Sequence, residues 1–227
     1  MPFVKVGTEN SADVEIHYND HGSGKPIVLI HGYPLDGNSW ERQEAVPLDN
    51  GYRCISYDHR GFGQSSKPTS GFDYDAFTAD LQALLDHFAL DQDVVLAGFS
   101  MGTGEVTRYL GTYGSAGVSK AVLIGVIPPF VLQTDDNPKR VPGAVFHGIK
   151  QAIVDDRYAY FDDFFANFYN TRRLRAGADR RLGVAGELPG RRRLVPGASA
   201  WQEQISLPKE RQRPAGGPAV EHARGHS

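Results

Sequence analysis

The chain has 227 residues, 40% of them hydrophobic and 11% aromatic, with a formal net charge of −3, which is enough apolar material for one sizeable core. No run approaches the ~18 consecutive apolar residues of a membrane span, the overall charge argues against a globally basic nucleic-acid binder, and residues 1–13 have neither the basic start nor the apolar stretch of a secretion signal. The single cysteine, Cys54, closes no internal disulfide and by itself supplies no cysteine zinc cluster, so a reducing cytoplasmic setting is expected.

In chain order, strand-like runs near Phe3 to Val6 and Val14 to Tyr18 predict an opening hairpin. His21 to Gly24 turns the chain into the apolar run Pro26 to Ile30. Asn38 or Ser39 is placed to cap a short helix through Trp40 and Ala45, and Gly51 ends that segment before a strand from Arg53 to Tyr57. Asp73 caps a longer helix whose apolar positions Phe77, Leu81, Leu84, Leu85 and Phe88 fall on one face. Asp93 to Ala97 reads as a buried strand, Thr103 to Tyr113 as a helix closed by Gly114, and Val118 to Ile124 as another buried strand. Strands that alternate with helices and are apolar throughout predict an α/β fold with a mostly parallel sheet covered on both faces.

Gly98-Phe-Ser-Met-Gly102 matches the pattern G-x-S-x-G. A chain of this composition yields about 0.2 such matches by accident, so context must carry the weight. The apolar strand ending at Ala97 runs straight into the motif and a helix follows, the strand-turn-helix setting of a nucleophile elbow. Gly98 and Gly102 suit a tight turn with close neighbours, and Ser100 would project above the carboxyl ends of the strands, where open α/β sheets bind ligands. The bland alternative is that Ser100 only caps the helix.

These residues resemble the α/β-hydrolase superfamily, and within it the cofactor-free haloperoxidase and arylesterase branch. The resemblance covers residues 1–170 and rests on His31-Gly-Tyr-Pro34, Asp58-His-Arg-Gly-Phe-Gly-Gln-Ser65, Gly98 to Val106, and Pro128-Pro-Phe130 through Thr134-Asp-Asp-Asn-Pro138. It implies an acyl-enzyme mechanism on a small ester or carboxylic acid. Ser100 attacks, the backbone N–H groups of Tyr33 and Met101 form the oxyanion hole, and water or hydrogen peroxide releases the acyl group, with no haem, metal or other cofactor. It also implies a helical cap from Tyr158 to Tyr169, whose aromatics at 158, 161, 165 and 168 either wall an acyl pocket or pack the cap onto the core.

The pattern breaks at residue 170. Residues 171–227 hold 12 of the 24 Lys and Arg, 5 of the 27 Asp and Glu, and one aromatic, Trp201. Such a stretch cannot bury enough apolar surface to offset its chain entropy, so it reads as a disordered tail, or as a GC-rich gene translated out of frame. A serine hydroxyl needs a histidine base oriented by a carboxylate, and the resemblance places both after the cap. Neither is found there as a recognisable loop: Asp179, His222 and His226 are weak candidates. The expectation is therefore a serine hydrolase impaired in this chain, with exposed apolar surface along an uncovered sheet edge.

Two rival readings are a non-catalytic acyl- or ester-binding module and a basic-tailed interaction protein built on Arg172-Arg173, Arg180-Arg181 and Arg191 to Arg193. Without interleaved aromatics those arginines support only non-specific phosphate attraction, so no nucleic-acid or membrane partner is expected. Gly22 to Pro26 lacks the spacing of a phosphate loop. Asp135-Asp136 and Asp162-Asp163 lack companion metal ligands, Cys54 reads as a small core residue, and His59 as part of the loop after its strand.

Overall fold

The computed structural model describes residues 2–128 and 130–171. Six strands form one sheet: β1 Phe3–Glu9, β2 Ala12–Gly22, β3 Lys25–Ile30, β4 Tyr52–Tyr57, β5 Val94–Phe99 and β6 Val118–Ile124. Their order is β1-β2-β4-β3-β5-β6. The first two pair antiparallel and β2 pairs antiparallel with β4, whereas β4, β3, β5 and β6 run parallel. Four helices complete the described chain: α1 Glu41–Asp49, α2 Tyr74–His87, α3 Met101–Tyr113 and α4 Gly143–Phe168.

The hairpin, the parallel strands and the helices after β4 and β5 follow the expected order. The predicted stripe of α2 lies inward, with Phe77, Leu81, Leu84 and Leu85 buried and Phe88 packed at the margin. Asp73 caps this helix by accepting from the Ala76 N–H, and Gly114 closes α3 with φ 78°. Beneath α2 and α3 lies the main core, built from Ile16, Val28, Ile30, Ile55, Leu96 and Val106 among others. A smaller cluster of Leu29, Trp40, Cys54 and Ala97 lies on the other face with Leu48 of α1, which makes Cys54 the core residue its apolar strand predicts.

Three expectations need correction. Before α1, the cap is Asp36 rather than Asn38 or Ser39: its side chain accepts from the Asn38 N–H and starts a short 3₁₀ turn, Gly37–Trp40, that leads into the helix. The second strand extends to Gly22, so the turn before β3 shrinks to Ser23 and Gly24. The sequence of β6 is that of a buried strand, yet Val122, Leu123 and Ile124 are 41%, 39% and 44% exposed. Among the described residues β6 is also the sheet edge, paired only by β5, and its exposed side chains give the apolar surface along an open edge expected from the break in the sequence pattern. The stretch expected as a helical cap from Tyr158 is the second segment of α4, which starts where the helix breaks at Asp156 (φ −155°, ψ 93°), whose carboxylate accepts from the Tyr158 and Ala159 N–H groups. The expectations for the tail, including Asp179, His222, His226, Trp201 and the arginine pairs, lie outside the described residues.

Candidate active site

Ser100 stands between the last residue of β5 and the first of α3, with φ 51° and ψ −111°. An L-residue rarely adopts this region, at an expense on the order of 1–3 kcal/mol, so the surrounding structure must hold it. The Ser100 N–H donates to the Ile124 carbonyl at 2.8 Å, and the Ser100 carbonyl accepts from the Thr103 N–H at 2.9 Å and from Thr103 Oγ1 at 2.6 Å. The two glycines of the motif are required by space. A Cβ on Gly102 would lie 2.5 Å from the Ile30 carbonyl oxygen, and one on Gly98 would collide with the Gly102 carbonyl oxygen. Backbone cannot yield to either as a flexible side chain would.

Helix α3 begins at Met101, so the Met101 N–H has no acceptor within the helix and lies at its positive end. Across the sheet, the loop after β3 brings Gly32 against the elbow: a Cβ there would lie 2.9 Å from the Ser100 Cβ and from the Phe99 carbonyl oxygen. The sequence-derived residues Tyr33, Gly98, Ser100, Met101 and Gly102 thus come from two chain segments that the parallel pairing of β3 with β5 sets side by side.

Over this floor lies the cap. Phe161 is buried in one cluster with Tyr33, Phe62, Phe77 and Met101, and Phe165 packs against it. Tyr33 also faces the Phe164 ring, with centroids 6.3 Å apart. Phe168 meets Phe99 at 6.2 Å and, with Leu35, Trp40 and Ile124, lines an apolar cleft beside the elbow. Tyr158 does not join this wall. It is 57% exposed and carries Arg157 over its ring, two residues after the break at Asp156. The aromatic row is therefore 161, 164, 165 and 168.

Residues behind the site were not evident as partners from the sequence. His59, in the loop after β4 as its position predicts, is 1% exposed. Its Nε2 meets Glu105 Oε2 of α3 in a very short hydrogen bond, and its Nδ1 lies 2.7 Å from His31 Nε2. Glu105 Oε1 accepts from the Tyr57 hydroxyl at 2.5 Å, and His31 Nδ1 lies 3.0 Å from the Gly32 carbonyl oxygen. Burial pushes the Glu105 carboxyl up to about 8 and drops His31 and His59 to about 3. Asp58, also buried, accepts from the Gly37 N–H at 2.8 Å and the Gln64 N–H at 2.7 Å, tying the loops after β3 and β4 together. Arg60 forks onto Asp80 of α2 at 2.5 and 2.7 Å. The Asp58 to Ser65 segment therefore braces the site rather than entering it. Among the described residues none hydrogen-bonds to Ser100 Oγ, and no group of three or more His, Cys, Asp and Glu is placed to hold a metal ion.

The family model described as alpha/beta hydrolase fold matches residues 25–205. The chain belongs to the alpha/beta hydrolase family. A Synechocystis sp. protein provisionally named a non-heme chloroperoxidase is 62% identical over 170 residues, which is 75% of this chain and 61% of that protein. The bromoperoxidase from Bacillus anthracis is 47% identical with a TM-score of 0.68, over 71% of this chain and 58% of that one. An esterase from Exiguobacterium antarcticum is 33% identical with a TM-score of 0.66, over 71% and 59%. This hydrolase chain thus spans about six tenths of the length of the relatives it matches.

Proposed function

We propose that the chain is a serine hydrolase of the haloperoxidase and esterase type, in which Ser100 forms an acyl-enzyme. The strained backbone of Ser100, held between two glycines that tolerate no side chain, is the observation that carries this reading. In acylation Ser100 Oγ bonds to the carbonyl carbon of a small ester, the C–O bond to the alcohol breaks, and the serine proton leaves with the alcohol. The N–H groups of Tyr33 and Met101 receive the developing oxyanion. Water then returns the acid and frees Ser100; hydrogen peroxide in its place gives a peracid, which oxidises halide without further help from the protein. No haem, metal or other cofactor takes part, and the partner is a small molecule. The aromatic row of the cap and the apolar cleft beside Phe99 support an acyl group as the part that is bound.

Acylation needs a base for the Ser100 proton. No described histidine hydrogen-bonds to Ser100 Oγ, and this favours a weakened hydrolase, or a second reading as a module that binds acyl groups without turnover. Two measurements on the full chain separate them: hydrolysis of p-nitrophenyl acetate, and stoichiometric labelling by a fluorophosphonate, each with Ser100→Ala. Turnover and labelling that both vanish in Ser100→Ala support the hydrolase. Binding of butyrate with no Ser100-dependent hydrolysis supports the binding module, and hydrolysis untouched by Ser100→Ala refutes the elbow as the site.

A further inference from the structure

Tyr57, Glu105, His59 and His31 form a single file behind the His31–Tyr33 loop, and each is at most 1% exposed. The direction of every hydrogen bond in the file follows from its last member. A carbonyl oxygen only accepts, so His31 Nδ1 carries a hydrogen toward Gly32. Neutral His31 then has a lone pair at Nε2, shared between the His59 main-chain N–H at 3.1 Å and His59 Nδ1 at 2.7 Å, which must also donate. Neutral His59 in turn has a lone pair at Nε2, so the Glu105 oxygen facing it brings a proton, while the other oxygen accepts from Tyr57. An ionised Glu105 beside two neutral imidazoles would leave two lone pairs facing each other. Drawing the proton on His59 instead shifts it across one short bond without changing the count. Burial in an apolar shell that includes Phe62 and Phe77 keeps it on the carboxyl.

The Gly32 carbonyl belongs to the same peptide unit as the Tyr33 N–H, and in a trans peptide the two point in opposite directions. That carbonyl is held by His31 and by the Leu35 N–H at 2.8 Å. We propose that Glu105, His59 and Tyr57 are positioning residues acting through His31: one proton confined to the file aims each donor at the Gly32 carbonyl and so fixes the plane that presents the Tyr33 N–H. The inference rests on reading that N–H as an oxyanion donor.

The test uses the full chain, ¹⁵N-labelled, as wild type, Glu105→Gln and Glu105→Leu. Gln keeps a donor toward His59 and an acceptor toward Tyr57, whereas Leu keeps similar volume and neither. Long-range imidazole correlations in the wild type should show His31 and His59 neutral with the hydrogen on Nδ1; a neutral ring of either residue with its hydrogen on Nε2 overturns the proposal. The Tyr33 amide resonance should hold its place in the Gln chain and shift in the Leu chain, and an unmoved resonance in both overturns the positioning role. Affinity for phenylboronic acid, which forms a tetrahedral adduct on a serine hydroxyl, should fall by about tenfold or more with Leu and less than about threefold with Gln. Ser100→Ala keeps the two readings apart. If it leaves that affinity unchanged, the Ser100 reading fails and the tautomers still judge the file; if it abolishes binding while Leu binds as wild type does, the positioning role alone fails.

Discussion

Replacing Glu105 by Gln removes a titrating group from the core while keeping its hydrogen bonds, so the change should appear in how stability depends on pH more than in stability at any one pH. The folded carboxyl titrates at about 8 against 4.5 in an exposed chain. Below 4.5 both states hold the proton and the two chains lie a fixed interval apart. Above it the unfolded wild type ionises while the folded form does not, so wild-type stability falls as pH rises toward 8. The slope is about 1.4 kcal/mol per pH unit, which over the interval from 4.5 to about 8 reaches roughly 5 kcal/mol as an upper limit. Asp58, Asp80, Arg60 and Tyr74 also lie around the file, with Asp80 raised to about 6 by burial. Asp58 and Arg60 are common to both chains, whereas Asp80 and Tyr74 are each raised in part by Glu105, so in Glu105→Gln the folded Asp80 carboxyl moves down and adds to the variant's gain. Urea denaturation followed by tryptophan fluorescence at pH 5, 6, 7 and 8 measures it. Glu105→Gln should gain on wild type steadily across this range, and a difference that stays flat from pH 5 to 8 refutes a protonated Glu105.

On the acid side, His31 and His59 are lowered from 6.5 to about 3 by burial, so the stability of keeping them neutral is complete above 6.5 and is lost as pH falls toward 3. Circular dichroism against pH should show a cooperative acid transition within this window, shallower in His59→Gln by close to one proton. Gly102→Ala places a Cβ 2.5 Å from the Ile30 carbonyl oxygen and 2.9 Å from that of His31. It should lower the urea midpoint by an amount corresponding to about 1–3 kcal/mol and suppress fluorophosphonate labelling of Ser100. Val122 is 41% exposed on the sheet margin, so Val122→Lys should reduce light scattering of concentrated protein while changing stability by less than about 0.5 kcal/mol.

Local signals carried much of the architecture. The stripe from Phe77 to Leu85, the Asp73 cap and the apolar strands before Gly98 each specify their own conformation from neighbouring residues, and the structure reproduces them. The elbow was legible for the same reason, since its glycines, serine and flanking elements are contiguous. The file was not. His59 and Glu105 are 46 positions apart, and nothing around His59 separates a buried histidine from one at a loop surface. Val118 to Ile124 is apolar enough to be buried, but a strand's sequence does not state what lies against its faces, and here its side chains stay exposed at the edge of the sheet among the described residues. The break in α4 comes from an aspartate serving as a helix start, a signal obscured by the helical pattern on both sides.

Ser100 follows β5, the best-buried part of the sheet, yet its amide hydrogen is bonded to Ile124 on the least-packed strand. Local opening at the rim would therefore break this bond without disturbing β5, and the backbone strain at the serine would have one restraint fewer against it. Amide exchange at Ser100 should then keep pace with β6 and run ahead of Leu96, four residues upstream. The fidelity of the elbow would be governed by how firmly the rim stays closed, and a ligand or strand that seals the rim would sharpen the site from behind without touching the reacting atoms.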